Sequence, residues 1–116
     1  MIGVDMIEIR RIAALKERFG ERALRRFLSQ EEIAVFGGRI ESLAGLWAAK
    51  EAVSKALGVG IGAKLGFHDI TIAKNGEGAP VALLSSRASK RFGAYKLPVS
   101  ITHEKNYAIA VALKQP

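Results

Sequence analysis

Apolar residues alternate around a single carboxylate in Ile2-Gly3-Val4-Asp5-Met6-Ile7, which predicts a short strand with Asp5 inside it or at its end. From Glu8 the period changes. Ile9, Ile12, Leu15 and Phe19 recur at helical spacing, and Gly20 is placed to end an amphipathic helix. Ser29-Gln30-Glu31-Glu32 reads as the start of a second helix, because acids in a first turn oppose the positive end of the helix dipole; Gly37-Gly38 closes it. The run from Ser42 to Leu57 is the plainest helix of the chain, rich in Ala and Leu and stopped by Gly58.

Past a glycine-rich loop, Gly58 to Gly62, the pattern turns strand-like at Phe67, Ile70 and Ile72, and Asn75-Gly76 marks a turn. Val81 to Leu84 predicts the next strand and Ser86 to Phe92 a helix. Val99 to His103 and Tyr107 to Leu113 then predict a closing hairpin. Helices and strands are segregated, with no internal repeat and no long linker, so the pattern points to an α+β layer fold. The 116 residues suffice for one domain, residues 1–116, around a single core.

Charged residues stand out against this pattern. On the central helix Leu43, Leu46, Trp47, Ala48, Ala49, Ala52, Val53 and Leu57 cover much of the circumference, which makes Lys50, Glu51 and Lys55 exceptions. Glu51 and Lys55, four residues apart, share a face with Trp47; as a solvated surface pair they would contribute only about 0.2–0.5 kcal/mol. Asp5 likewise interrupts an apolar strand. A carboxylate beside a core is costly unless a cation stands near it, and two such carboxylates can share one divalent ion. With no cysteine in the chain, a metal here would take oxygen or imidazole ligands. Magnesium is satisfied by two acids when the substrate brings phosphate oxygens, and Lys55 would face those phosphates. The Gly58 to Gly62 loop offers backbone N–H groups to an anion, although it lacks the GK[ST] ending of a Walker motif.

Eighteen Lys and Arg against eleven Asp and Glu leave a net charge of +7, so the surface should attract nucleic acid, an acidic protein or a phosphorylated metabolite. Nucleic acid fits least. Only 7% of residues are aromatic, and none is interleaved with the basic residues as a stacking pair. If the first helix continued through residue 25, Arg11, Arg18, Arg22 and Arg25 would fall within about 60° of one another as one basic stripe. The composition is that of a soluble globular chain rather than a membrane-spanning one. MIGVDMIEI carries two acids early and lacks a basic lead, so the expectation is no secretory signal and a cytoplasmic location.

Gly3-Val4-Asp5, Trp47-Ala48-Ala49-Lys50-Glu51-Ala52-Val53-Ser54-Lys55-Ala56, Gly58 to Gly62, Phe67-His68-Asp69-Ile70 and Ser100-Ile101-Thr102-His103, taken in order, resemble the holo-[acyl-carrier-protein] synthases, a family of 4′-phosphopantetheinyl transferases. The resemblance runs through essentially the whole chain. It implies a single domain with a small antiparallel sheet packed against helices, one of them long and central. It implies transfer of 4′-phosphopantetheine from coenzyme A to a serine of acyl carrier protein in fatty acid biosynthesis, with release of adenosine 3′,5′-bisphosphate and a requirement for magnesium.

Carried over by position, Asp5 and Glu51 would hold the ion, and Asp5, Glu51 and Lys55 would be catalytic. The proton acceptor for the carrier serine stays open between a metal-associated water and Glu51. Lys55, Gly58, Gly62, Pro80, Ser100 and His103 would contact coenzyme A, although a lone strand histidine can equally be structural. Arg11, Arg18 and Arg22 would dock the acidic carrier protein. Glu8 matches an acid often found after the first strand but serves equally as a helix N-terminal residue. Leu46 departs from the arginine many members carry there, and Arg39 or Lys64 would have to substitute. The family also implies a homotrimer with active sites at subunit junctions; a purely structural trimer would show no magnesium dependence.

Overall fold

In the computed structural model, which describes residues 1–116, the first strand β1 (Ile2–Glu8) runs directly into helix α1 (Ile9–Phe19). Gly20, at φ 66°, takes a conformation that suits glycine and ends α1, so α2 (Glu21–Arg25) sets off in a new phase. The helix thus ends at Gly20 as the sequence predicts, and the continuation through residue 25 on which a single arginine stripe depends does not occur. A capping box opens α3 (Gln30–Phe36): Ser29 Oγ accepts from the Glu32 N–H and the Glu32 carboxylate accepts from the Ser29 N–H. Helix α4 (Ile40–Ala56) begins two residues before the predicted Ser42. A 3₁₀ turn (Phe67–Asp69) leads into β2 (Ile70–Lys74), followed by β3 (Pro80–Leu84), α5 (Ser86–Phe92), β4 (Lys96–His103) and β5 (Tyr107–Leu113).

The strands form one five-stranded sheet in the order β1-β5-β4-β3-β2, antiparallel throughout. Pairing of the terminal strands in full register, Ile2 with Leu113 through Glu8 with Tyr107, closes the ends of the chain onto each other. The helices pack on one face. Ala108, Ala110 and Ala112 line β5 on that face, and their small side chains let α4 lie against the sheet. Leu43, Ala44, Leu46, Ala48, Ala49, Ala52, Val53 and Ala56 of α4 are fully buried there with Leu97, Ile70 and Ile72.

The opposite face is bare. Ile2, Val4 and Met6 are 69%, 55% and 59% exposed, and Val111 and Leu113 of β5 continue the strip at 40% and 38%. No helix of the chain is long and apolar enough to cross a membrane.

Candidate active site

The site starts from a close approach between β1 and α4. A Cβ on Gly3 would overlap the carbonyl oxygen of Ala52 and lie 2.5 Å from the Ala56 nitrogen, so only glycine lets the strand sit this near the helix. Asp5, two residues along on the same face of β1, is thereby brought to α4. Lys55 Nζ donates to Asp5 Oδ1 at 2.9 Å and to the Val4 carbonyl oxygen at 3.2 Å. The Asp5 side chain is 14% exposed whereas that of Lys55 is 51% exposed, so the ammonium is the open end of the cluster.

Glu51 sits one helical turn before Lys55. Burial pushes its pKa up, the charge of Asp5 pushes it further, and Lys55 acts in the opposite direction. Asp5, Glu51 and Lys55 thus form a single electrostatic unit. Lys55 faces Asp5 first, and its exposed side is what remains for an anion.

The glycine loop is different from the expectation. Its N–H groups are largely committed inward: Gly58 to Lys55 O, Val59 and Gly60 both to Ser54 O, and Gly62 to Leu65 O. Gly58, Val59 and Gly60 therefore close the end of α4 and Gly62 braces the loop that follows, so these donors are not presented to an anion.

The remaining residues assigned to coenzyme A lie elsewhere in the chain. His103 pairs with Ala108 whereas Asp5 pairs with Ala110, two strands away at about 4.8 Å each. His103 is near the N-terminal end of α4, where it acts on Glu41; that carboxyl is held below its ordinary value first by a backbone hydrogen bond and then by Arg39, which donates at 2.8 Å. Glu41 and Lys55 are fourteen residues apart on the helix, about 21 Å. Ser100 alternates with buried Val99 and belongs to the bare face. Pro80 opens β3, paired with Lys74 near the far edge of the sheet. Leu46 is in the core, so nothing at that position meets a phosphate; Arg39 pairs with Glu41 at the start of α4, while Lys64 lies in the loop past the other end of α4.

A second feature gathers the arginines. Arg18, Arg22 and Arg26 border a groove of about 700 Å³ whose apolar lining includes Leu15, Phe19, Phe27, Trp47 and Phe67, and an adjoining cleft adds Arg11. Because Gly20 re-phases the chain, Arg25 is not in this group; its carbonyl oxygen instead lies 2.7 Å from His68 Nε2. Arg26, which the sequence stripe did not include, takes its place. Phe27, Trp47 and Phe67 pack with ring centroids 4.9–6.0 Å apart.

Residues 1–112 match the sequence profile of the 4′-phosphopantetheinyl transferase superfamily. The chain belongs to that superfamily. It is 55% identical over 111 residues to a holo-[acyl-carrier-protein] synthase of Sulfurimonas denitrificans, covering 96% of this chain and 91% of the relative. The crystal structure of Helicobacter pylori holo-[acyl-carrier-protein] synthase in complex with coenzyme A superposes with a TM-score of 0.92 at 44% identity, covering 97% of this chain and 98% of that one. The Neisseria meningitidis synthase superposes with a TM-score of 0.84 at 33% identity, covering 97% of each chain.

For this phosphopantetheinyl transferase superfamily member, the donor set at Asp5 and Glu51 fits a hard divalent cation. Both groups are carboxylates, the charge of Asp5 adds to the burial that pushes the Glu51 pKa up, and one side of the cluster is open. No group of three or more His, Asp or Glu side chains capable of holding a metal occurs in the chain. The fit is thus to an ion that keeps water and substrate oxygens as its other ligands.

Proposed function

We propose that this chain is a holo-[acyl-carrier-protein] synthase that transfers 4′-phosphopantetheine from coenzyme A to a serine of acyl carrier protein, releasing adenosine 3′,5′-bisphosphate, and so supplies holo-carrier for fatty acid biosynthesis in the cytoplasm. The observation that carries this reading is the Asp5–Glu51–Lys55 cluster in a chain that superposes over 97% of its length on a synthase crystallised with coenzyme A.

Asp5 and Glu51 are the residues that would hold magnesium, whose charge, when bound, neutralises pyrophosphate oxygens. Lys55 pairs with Asp5 at 2.9 Å and presents its exposed ammonium to the phosphate. Among the chain's own side chains, the Glu51 carboxylate, which has no hydrogen-bonded cation and whose pKa burial pushes up, is suited to accept the proton of the attacking serine. Arg11, Arg18, Arg22 and Arg26 favour an acidic partner at the groove, where complementary charge speeds encounter and fixes orientation.

The working form in this reading is a homotrimer. Ile2, Val4, Met6, Val111 and Leu113 form an apolar strip with no covering element in the chain, and burying such a strip is favourable at about 25 cal/mol per Å². Within one chain Ser100 is on the opposite face of the sheet from Asp5 and Pro80 stands near its far edge, which supports a coenzyme A site completed by a second copy. Incubation with coenzyme A and apo acyl carrier protein tests the function: the carrier gains one phosphopantetheine per molecule, and no mass change under any divalent ion rules the activity out. Light scattering tests the trimer.

A further inference from the structure

Lys50, adjacent to Glu51, has no part in the chemistry above and is completely buried. Its ammonium has three protons and three acceptors: the Phe27 carbonyl at 2.7 Å, Glu32 Oε1 at 2.9 Å and the Phe67 carbonyl at 3.2 Å. Glu32 is equally committed, with Oε1 also accepting from the Ser29 N–H and Oε2 from the Ile72 N–H. A buried ion pair of this kind contributes little net stability compared with apolar packing, so its location is the informative feature.

That location is under the groove. Phe27 belongs to the link between α2 and α3, and Phe67 to the 3₁₀ turn before β2; neither is held within a long helix. Their carbonyls converge on Lys50, while their rings flank Trp47 at centroid distances of 5.0 and 4.9 Å. Trp47 is three residues from Lys50 on α4. One side chain therefore anchors two loop segments to the helix that carries both Trp47 and Glu51.

We propose that Lys50 is a positioning residue for the arginine-rimmed groove, fixing Phe27 and Phe67 on either side of Trp47 so that the partner docks in a defined place relative to Glu51. The identity of the partner rests on the carrier-protein reading above; the positioning of the aromatic rings does not. Unpaired, the two carbonyls would have to find other donors, and the segments that bear them would move away from α4.

Trp47 is the only tryptophan of the chain, so its fluorescence reports the groove directly. The test compares the full-length protein with Lys50→Met and with Lys50→Met/Glu32→Gln, in which no charge is left buried alone. The double variant is expected to keep the wild-type far-UV circular dichroism, to show red-shifted Trp47 emission with stronger acrylamide quenching, and to raise the carrier KM about ten-fold. Its kcat and its KM for coenzyme A should stay within about two-fold, the pattern of lost uniform binding. A folded double variant with unchanged emission and unchanged carrier KM overturns the proposal, as do equal rises in both KM values. Failure of both variants to fold also overturns it, because Lys50 would then serve the fold as a whole. Altered Trp47 emission in a protein whose wild type modifies no carrier leaves the positioning standing and removes the carrier-protein reading.

Discussion

The Lys55 ammonium lies 2.9 Å from Asp5 Oδ1, although fifty residues separate the two in the chain. The contact exists because Gly3 lets β1 sit against α4, and it leaves Glu51 as the carboxylate of the cluster without a hydrogen-bonded cation. A protein that placed these groups for stability alone would pair both acids.

Glu51→Gln separates function from stability. The folded-state pKa of Glu51 is raised, so the unfolded chain gives up this proton first and the ionised folded state is disfavoured above the unfolded pKa. The variant should melt at the same temperature as wild type or higher at pH 7 in the presence of a chelator, while losing transfer about 10²-fold or more. A lower melting temperature would show that Glu51 is a structural acid.

Gly3→Ala should be among the most damaging single changes. The added methyl meets backbone rather than a flexible side chain, so β1 must move away from α4, at a cost of about 1–3 kcal/mol by analogy with overpacked cores. Denaturant unfolding measures the loss, and residual folded protein should transfer poorly because Asp5 shifts with the strand.

Arg18→Glu and Arg25→Glu distinguish the groove from general basicity. Arg18 borders the groove and Arg25 does not, although both change the net charge equally. Arg18→Glu, like Arg11→Glu in the adjoining cleft, should raise the carrier KM about 10-fold or more with little change in the coenzyme A KM, and Arg25→Glu should do much less. Equal effects of Arg18→Glu and Arg25→Glu would reduce the groove to a diffuse positive field.

Acid stability should depend on Asp69. It accepts from Arg87 at 2.7 and 3.2 Å, from Ser85 Oγ at 2.7 Å and from the Gly66 N–H at 2.9 Å, and the Arg87 guanidinium foremost holds its carboxyl far below the usual range. A depressed folded pKa gives stability that is fully present above the unfolded value and is lost as pH falls through the folded one. Asp69→Asn should therefore cost about 1–2 kcal/mol at pH 7, and its deficit against wild type should shrink as pH drops below about 4.

The strands and helices are legible because apolar residues recur at strand or helical spacing along them, and the Asp5–Glu51–Lys55 cluster because charges that interrupt such periods need partners. The stripe through Arg25 is not, since a single glycine re-phases the chain and brings Arg26 to the groove instead. Nor is the role of Glu32. In sequence it is a first-turn acid, and only the packing of α3 against α4 and β2 makes it the buried partner of Lys50. Gly58 to Gly62 read as a free anion cradle because composition cannot reveal that most of these N–H groups bond back to the end of α4.

The most direct measurement is the intact mass of apo acyl carrier protein after incubation with coenzyme A and this chain in three arms: wild type with magnesium, wild type with chelator, and Glu51→Gln with magnesium. The expected result is one phosphopantetheine on the carrier in the first arm alone. Full modification in all three arms would contradict an active site built on Asp5 and Glu51, and no modification in any arm would contradict the transferase itself.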